Sequence, residues 1–332
     1  MSRPEVLTET DQDYRQVPVQ IWYPAEDGTG TPVKYFPNLA HVSAELSASG
    51  EVAPAEVFGL RFIRSHERQE ASISTIAASY PVILLSPGNG TNIEFYTAIA
   101  DEFASFGYIV IGLNHPYDVA AVTLQDTNVA QFVEGPFELQ ARQPWVKGRI
   151  DVRTEDVLFV LDKLDELNAN EQSPLAGRLD LSRVGIMGHS LGGVTATQAC
   201  LGSSKLRACL NFDGLLEGGP FAASRDPVPP DQPFMLITKE LQMHPAILAL
   251  FEGGPSERYR VVTKGATHDN FTDGPLLLPS FVPLPNKADG ILSLIRAYTL
   301  AFFDQSLNQQ PSPLLEAPFE SQDVLLEIYS SQ

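Results

Sequence analysis

A serine at position 190 has the surroundings of an activated nucleophile. Residues 188–192 read Gly-His-Ser-Leu-Gly; an apolar run at 184–187 precedes them and a stretch of small residues at 194–200 follows. This order predicts a strand, a sharp turn and a helix, with glycines 188 and 192 leaving room for a turn that lifts the serine hydroxyl above the sheet edge. The alternative is an ordinary glycine-rich turn of a doubly wound sheet. The flanking strand and helix favour a nucleophile elbow.

A serine hydroxyl is a weak nucleophile, so it needs an imidazole to take its proton and a carboxylate to orient that imidazole. Of the six histidines, His268 is best placed, because it follows a late predicted strand and leaves enough chain for a final helix. Asp213 ends the strand after the elbow helix and is the predicted acid. The alternative is that Asp213 only forms an Asp-Gly turn and has no catalytic role. Glu240, after the following strand, is the second candidate. The predicted triad is Ser190, Asp213 and His268.

Attack on an ester carbonyl creates an oxyanion, which needs N–H donors already in place. The residue after the nucleophile, Leu191, lies at the start of a helix and supplies one backbone N–H. The loop after an earlier strand reads Ser-Pro-Gly-Asn-Gly at 86–90, and Asn89 is the predicted second donor. An ordinary Asn-Gly turn is the alternative for this loop.

Two aromatic or apolar stretches are candidates for a substrate pocket. Residues 117–147 have no regular pattern, and long irregular stretches in compact domains are more often functional than idle. Residues 276–282 read Leu-Leu-Leu-Pro-Ser-Phe-Val and fit either an acyl pocket with a lipid-facing lip or a loop packed on the core. The predicted lining residues are His115, Trp145, Phe271, Leu277 and Phe281.

Alternating strand and helix patterns predict the elements that carry these residues. Strands are expected at 17–23, 82–85, 108–113, 183–187, 206–212, 234–238 and 258–262, and helices at 95–106, 150–167 and 288–303. This order predicts a mostly parallel central sheet with helices on both faces, the α/β class, with 258–262 as the last strand. Ligands of such sheets bind beyond the carboxyl ends of the strands, where the triad and the loop at Gly88 would meet.

The whole chain, residues 1–332, is expected to form one domain. Insertions are predicted at about 38–64, as two short helices that cover the sheet or border the site, and at about 117–147. A C-terminal tail is expected from about residue 307, after the last helix.

Composition limits the partners of the chain. The formal charge of −19 argues against nucleic acid, and no apolar run approaches the 18 or more residues of a membrane span. The two cysteines, Cys200 and Cys209, are expected to be buried free thiols. No cluster of residues has metal-ligand spacing, so neither a metal nor a cofactor is expected. The N-terminus has no signal-peptide core, so the protein stays inside the cell or a leader has been removed.

Six stretches together resemble the platelet-activating factor acetylhydrolase family, the group VII phospholipase A2-like α/β-hydrolases, including bacterial members. They are residues 19–24 (Val-Gln-Ile-Trp-Tyr-Pro), 80–88 (Tyr-Pro-Val-Ile-Leu-Leu-Ser-Pro-Gly), 106–110 (Phe-Gly-Tyr-Ile-Val), 188–193 (Gly-His-Ser-Leu-Gly-Gly), 210–214 (Leu-Asn-Phe-Asp-Gly) and 267–271 (Thr-His-Asp-Asn-Phe). The resemblance implies the α/β-hydrolase fold, with Ser190, Asp213 and His268 as triad and Leu191 and Asn89 as oxyanion donors. It also favours Asp213 over Glu240.

The chain departs from that family in the loop after the third predicted strand. Ser-Pro-Gly at 86–88 stands where the family usually has Ser-His-Gly, and Asn89 stands where a bulky apolar residue is common. The backbone donor survives either change, whereas substrate contacts can differ. The abrupt N-terminus is similar to that of a trimmed secreted or envelope protein.

These observations predict a cofactor-independent serine ester hydrolase. The resemblance implies short or oxidised acyl esters of phospholipids as substrates, with room for peripheral contact with a lipid surface. A polyester hydrolase of the cutinase type is the alternative enzyme. A noncatalytic binding protein of the same fold is disfavoured, since such proteins typically lose a triad member and this chain has all three. The partner is therefore a small-molecule or lipid ester, and the oligomeric state is left open.

Overall fold

A nine-stranded sheet organises the computed structural model. The structure describes residues 3–8, 13–37, 39–40, 43, 46, 52–125, 128–214, 229–240, 245–252, 254–278 and 288–329. The strands in chain order are β1 Val19–Trp22, β2 Thr31–Lys34, β3 Arg64–Gln69, β4 Tyr80–Ser86, β5 Ile109–Leu113, β6 Ala121–Thr123, β7 Val129–Gln131, β8 Leu179–His189, β9 Leu206–Phe212, β10 Phe234–Lys239, β11 Arg258–Thr263, β12 Phe319–Glu320 and β13 Val324–Tyr329.

The helices in the described ranges are, in chain order, α1 Pro54–Gly59, α2 Thr97–Ser105, α3 Leu139–Ala169, α4 Leu191–Gly202, α5 Pro245–Leu248, α6 Gly274–Leu277 and α7 Ala288–Asn308. Short 3-10 helices occur at Leu60–Phe62, Ile93–Tyr96, His268–Phe271 and Pro313–Leu315. None of the described helices is both long enough and apolar enough to cross a bilayer.

The strand order in the large sheet is β1-β5-β4-β8-β9-β10-β11-β13-β12. The strands from β5 to β11 in this order pair in parallel, and β1, β13 and β12 are antiparallel additions at the two edges. Two further antiparallel pairs, β2 with β3 and β6 with β7, lie outside this sheet. The predicted mostly parallel sheet is therefore confirmed.

The central strands are apolar on both sides because helices cover both faces of the sheet. Every residue of β4 and β5 is buried. On one face, Ile83 and Leu85 pack in a cluster with side chains of α2 and α7. On the other face, Val82 and Leu84 pack in a cluster with side chains of α3 and α4. Such two-sided burial is typical of parallel sheets and explains the unbroken apolar runs in the sequence.

Helix α3 begins eleven residues earlier than the apolar stripe predicts, at Leu139 instead of residue 150. Its first turns carry Trp145, and Pro144 lies within it without ending it. The pattern is missed because residues 140–148 are exposed or only half-buried, so no apolar stripe marks them, and the first buried side chain of this part is that of Arg149. The stretch 117–147 is thus partly regular, since it also contains the β6–β7 pair.

The prediction that residues 258–262 form the last strand is wrong. After α7 the chain returns to the sheet, and β13 pairs antiparallel with β11, placing Leu326 opposite Val261. Val324 and Leu326 are buried on the core side of this strand. The residues between and after them are only half-buried, and polar residues 321–323 precede the strand, so the segment is read as a tail when the sequence is taken alone.

The two cysteines are joined in a disulfide, which contradicts the predicted free thiols. Cys200 lies in the last turn of α4 and Cys209 in the middle of β9. Their Cα atoms are 6.4 Å apart, within the range that a disulfide spans. The sequence could not reveal this, because the contact depends on how α4 packs back against β9.

Candidate active site

Ser190 lies at the sharp turn between β8 and α4. Its backbone has φ 53° and ψ −121°, an unfavourable region for a residue with a side chain. A Cβ atom at Gly188 would collide with the backbone of Gly192, and one at Gly192 would collide with the backbone of Ser86. Only glycine fits at these two positions, so the motif exists to let three chain segments approach around one strained residue.

The structure brings Ser190, His268 and Asp213 into one hydrogen-bonded line. His268 Nε2 is 2.9 Å from Ser190 Oγ, and His268 Nδ1 is 2.6 Å from Asp213 Oδ2. Asp213 also accepts a hydrogen bond from the Thr238 hydroxyl at 2.6 Å. The aspartate side chain is 2% exposed, whereas that of His268 is 31% exposed and open to a substrate. The order from hydroxyl to imidazole to carboxylate is the geometry that activates a serine.

The environment of Asp213 keeps its carboxylate ionised. Burial acts to raise the pKa, but the hydrogen bonds from His268 and Thr238 outweigh it, and the ammonium of Lys239 adds to their effect. The net result is a pKa below the ordinary value for an aspartate. Glu240 does not compete for this place, since its side chain accepts a hydrogen bond from the backbone N–H of Gly265.

Asn89 and Leu191 are the predicted oxyanion donors. Asn89 lies in the loop after β4 and borders the same cavity as Ser190 and His268. Leu191 is the first residue of α4, where backbone N–H groups have no partner within the helix. In the part of the chain that the structure describes, neither backbone N–H donates to a protein acceptor. Both are available to a developing oxyanion.

The cavity over Ser190 has a volume of about 170 Å³. In the described ranges it is lined by Leu46, Gly88, Asn89, Gly90, Thr91, Phe95, His189, Ser190, His268, Asp269, Thr272 and Gly274. Leu46 comes from the insertion predicted at 38–64, so this segment borders the site. The remaining lining residues come from loops at the carboxyl ends of β4, β8 and β11.

Four of the five predicted pocket residues do not line this cavity. His115 is fully buried beneath the loop after β4, and Phe271 is buried against the His189 ring. Trp145 lies in α3 next to Gly135 and the Arg149 guanidinium, and Leu277 packs against the core. These four face inward or sideways because their elements pack on neighbouring segments, a direction that sequence spacing does not reveal. Phe281 lies outside the described residues.

Below the loop after β4 lies a second, fully enclosed Ser-His-Asp arrangement. His115 Nε2 is 3.0 Å from Ser86 Oγ and its Nδ1 is 2.8 Å from Asp156 Oδ2, and all three side chains are buried. Burial lowers the pKa of His115 to about 4, and the nearby charge of Arg153 adds to this. Arg153 also donates to the carbonyl oxygen of Pro87. With no solvent access, this group supports the loop from beneath.

Sequence reasoning missed two further residues at the site, Tyr96 and Thr238. Thr238 is a polar residue near the carboxyl end of β10, and its position on the same rim as Asp213 was a usable signal. Tyr96 hydrogen-bonds the backbone N–H of Gly88 through its hydroxyl. Nothing in its sequence neighbourhood distinguishes it from an ordinary core tyrosine.

The mostly parallel sheet, the helices on both faces and the elbow after β8 define the α/β-hydrolase fold. A solved structure with this architecture is the ferulic acid esterase from Streptomyces cinnamoneus, which superposes with a TM-score of 0.70 at 21% sequence identity. The match covers 94% of this chain and 89% of that one. At this level of identity the likeness establishes the fold.

The family is given by sequence. The family model for platelet-activating factor acetylhydrolase, isoform II, matches residues 6–290, and the chain belongs to this family. The platelet-activating factor acetylhydrolase of Cavia porcellus is 25% identical over 93% of this chain and 75% of its own length. A probable 1-alkyl-2-acetylglycerophosphocholine esterase of Arthroderma benhamiae is 33% identical over 42% of this chain, a match that spans only 32% of the fungal protein. These relatives support a carboxylic ester hydrolase.

Proposed function

We propose that this protein is a serine carboxylic ester hydrolase with Ser190 as nucleophile, His268 as general base and Asp213 as the orienting acid. The observation that carries the proposal is the line of hydrogen bonds from Ser190 Oγ to His268 Nε2 and from His268 Nδ1 to Asp213 Oδ2. Residues that only pack together have no reason to form this line at a strained turn beside two free backbone donors.

In the proposed reaction His268 removes the proton of Ser190 as its oxygen attacks the ester carbonyl. The resulting oxyanion accepts hydrogen bonds from the backbone N–H groups of Leu191 and Asn89. His268 then gives its proton to the departing alcohol, which leaves an acyl group on Ser190. A water molecule deprotonated by His268 releases the acid and restores the serine. Each oxyanion donor contributes about 3 kcal/mol of transition-state stabilisation in serine hydrolases.

The proposed substrates are phospholipid-like esters with short or oxidised acyl chains. Family membership supports this class, and the fungal relative is named as an esterase of an acetylated glycerophosphocholine. The cavity supports it independently, because its volume of about 170 Å³ is small. Pockets for drug-sized ligands usually measure roughly 300–1,000 Å³. A short acyl group fits such a space better than a long chain does.

Hydrolysis of a graded ester series tests the proposal. Turnover of p-nitrophenyl esters from acetate to decanoate should fall as the chain lengthens, and 1-alkyl-2-acetylglycerophosphocholine should be cleaved faster than a long-chain phosphatidylcholine. The Ser190→Ala variant is the control and should be inactive on all of them. A preference for decanoate would contradict the short-chain assignment. Soluble products released from a polyester film, without cleavage of the acetylated phospholipid, would favour the cutinase-type alternative.

A further inference from the structure

A buried series of hydrogen bonds joins the loop after β4 that carries Asn89, residues 87–90 and called the oxyanion loop below, to the backbone of His268. The backbone nitrogen of Gly88 is 2.9 Å from the Tyr96 hydroxyl, which is 2.8 Å from Nδ1 of His189. The other ring nitrogen of His189, Nε2, is 3.1 Å from the carbonyl oxygen of His268. The side chains of Tyr96 and His189 are 1% and 3% exposed, so water does not interrupt the chain.

The chemistry of its two ends fixes the direction of every bond. A backbone N–H can only donate and a carbonyl oxygen can only accept. His189 must therefore carry its proton on Nε2 and accept at Nδ1, so the Tyr96 hydroxyl donates to His189 and accepts from Gly88. The ring is neutral, because burial and the neighbouring charge of His268 lower the pKa of His189 to about 3. One tautomer and one hydroxyl rotamer satisfy all four groups.

Packing around His189 leaves these groups little freedom to move. Its ring centroid is 4.6 Å from that of His268, and the ring of Phe271 stacks on it at 5.9 Å with an interplanar angle of 18°. A Cβ atom at Gly88 would lie 3.2 Å from His189 Nδ1, so the loop backbone is in close contact with the ring. The series of hydrogen bonds therefore connects three segments that are far apart in sequence, around residues 88–96, 189 and 268.

We propose that Tyr96 and His189 are positioning residues that hold the oxyanion loop and the His268 loop in a fixed relation to Ser190. This inference rests on the proposed function of the triad. The donor at Asn89 follows Gly88 directly, so a shift of Gly88 moves the oxyanion donor, and a shift of the His268 backbone moves the base. A misplacement of about 1 Å at a reacting centre can lower the rate about 100-fold. Neither side chain exchanges a proton with the substrate.

A Tyr96→Phe variant tests this role, because it keeps the ring and removes only the hydroxyl. We expect kcat for a short-chain ester to fall about 10- to 100-fold with KM within about threefold, since alignment changes and substrate binding does not. The matched control is Tyr108→Phe, which removes a buried hydroxyl that bonds Asp304 at 2.6 Å, away from the site. Its melting temperature should fall by a similar amount while its kcat stays within about twofold of the native value.

Substitutions of His189 provide a second and independent measurement. The amide of His189→Gln can both donate and accept, so it should recover more kcat than His189→Phe, which can do neither. Tyr96 and His189 act through the same series of hydrogen bonds. The kcat of the Tyr96→Phe/His189→Phe double variant should therefore be no lower than that of the slower single variant.

Three results overturn the inference. They are a kcat of Tyr96→Phe within twofold of that of Tyr108→Phe, equal kcat values for His189→Gln and His189→Phe, and losses that multiply in the double variant. Ser190→Ala, measured beside them, separates this failure from that of the proposed function. If Ser190→Ala is inactive while Tyr96→Phe keeps its full kcat, only the positioning role is refuted and the triad assignment stands. If Ser190→Ala stays active, the triad assignment falls and the positioning role falls with it.

Discussion

At the scale of single residues, Asp213 occupies a position that few side chains could fill. Its backbone has a positive φ of 45°, and the N–H of the next residue, Gly214, donates to the Asn211 side chain at 2.8 Å. This tight turn points the carboxylate at His268 and at Thr238 together. A short polar side chain tolerates such a backbone better than a long or branched one does.

Replacing Asp213 with asparagine should therefore impair the reaction without impairing the fold. The amide keeps the size and the acceptor to Thr238, but it no longer fixes the tautomer of His268 or stabilises its protonated form. We expect kcat to fall about 10³- to 10⁴-fold, by analogy with the same change in other serine hydrolases, measured by initial rates on p-nitrophenyl acetate. Glu240→Gln is the matched control and should stay within a few-fold of native activity. The reverse ranking would make Glu240 the acid.

The placement of the proposed triad residues at one sheet edge was predictable, whereas the surroundings of the predicted pocket residues were not. Ser190, Asp213 and His268 each follow a parallel strand, and parallel strands deliver their carboxyl ends to one edge. His115 also follows such a strand, yet its ring turns down towards Asp156 and away from the cavity. Main-chain position follows from sequence pattern, but side-chain direction is decided by the neighbours that each residue meets.

At the scale of elements, the disulfide connects the helix that begins directly after Ser190 with the strand that ends directly before Asp213. Cys200 closes α4, and Cys209 lies four residues before Asp213 in β9. Both cysteines are buried, at 2% and 0% exposure, and pack within the same apolar cluster. The bond thereby fixes the elements next to Ser190 and Asp213, two members of the proposed triad, relative to each other.

Removing this bond should lower stability more than activity. The cysteines are nine residues apart in sequence, and closing a loop of that size stabilises a protein by about 2 to 3 kcal/mol in the chain-entropy model. A Cys200→Ala/Cys209→Ala variant should lose about this free energy of unfolding in a urea titration while its kcat stays within a few-fold of native. Rapid alkylation of two thiols in the unreduced, denatured native chain would show instead that no disulfide forms.

Elements with apolar runs were predictable, and helical turns without an apolar stripe were not. The central strands follow from their unbroken apolar stretches. The first turns of α3 do not, because residues 140–148 are exposed or half-buried and the first buried side chain, that of Arg149, faces Asp118. A periodicity argument needs an apolar stripe, so it misses a helical segment that has none.

At the scale of the whole molecule, buried titratable groups make stability depend on pH in two opposing ways. Burial lowers the pKa of His189 to about 3, below its ordinary value of about 6.5. As pH falls below about 6.5 the unfolded chain binds a proton here that the folded chain does not, so folding is weakened. Burial raises the pKa of Asp273 to about 7. As pH rises from about 4 to 7 the unfolded chain releases a proton that the folded chain keeps, which also weakens folding.

Single variants separate the two effects. The free energy of unfolding of the native chain, relative to His189→Gln, should fall as pH decreases from about 6.5 to 4, by at most about 1.4 kcal/mol per pH unit. Relative to Asp273→Asn it should fall as pH increases from about 4 to 7. Urea titrations across this range give both differences, in which the remaining charges of the chain cancel. Parallel curves for native and variant chains would mean that the group in question titrates alike in both states.

The central claim is that Ser190 is the one serine activated for attack, and covalent labelling tests it most directly. A fluorophosphonate probe, followed by peptide mass analysis, should modify the native chain once, on the peptide that contains Ser190. Labelling should be absent in Ser190→Ala and slowed by roughly 10⁴-fold in His268→Ala, with both variants folded. Equal labelling of the native chain and of Ser190→Ala would contradict the account.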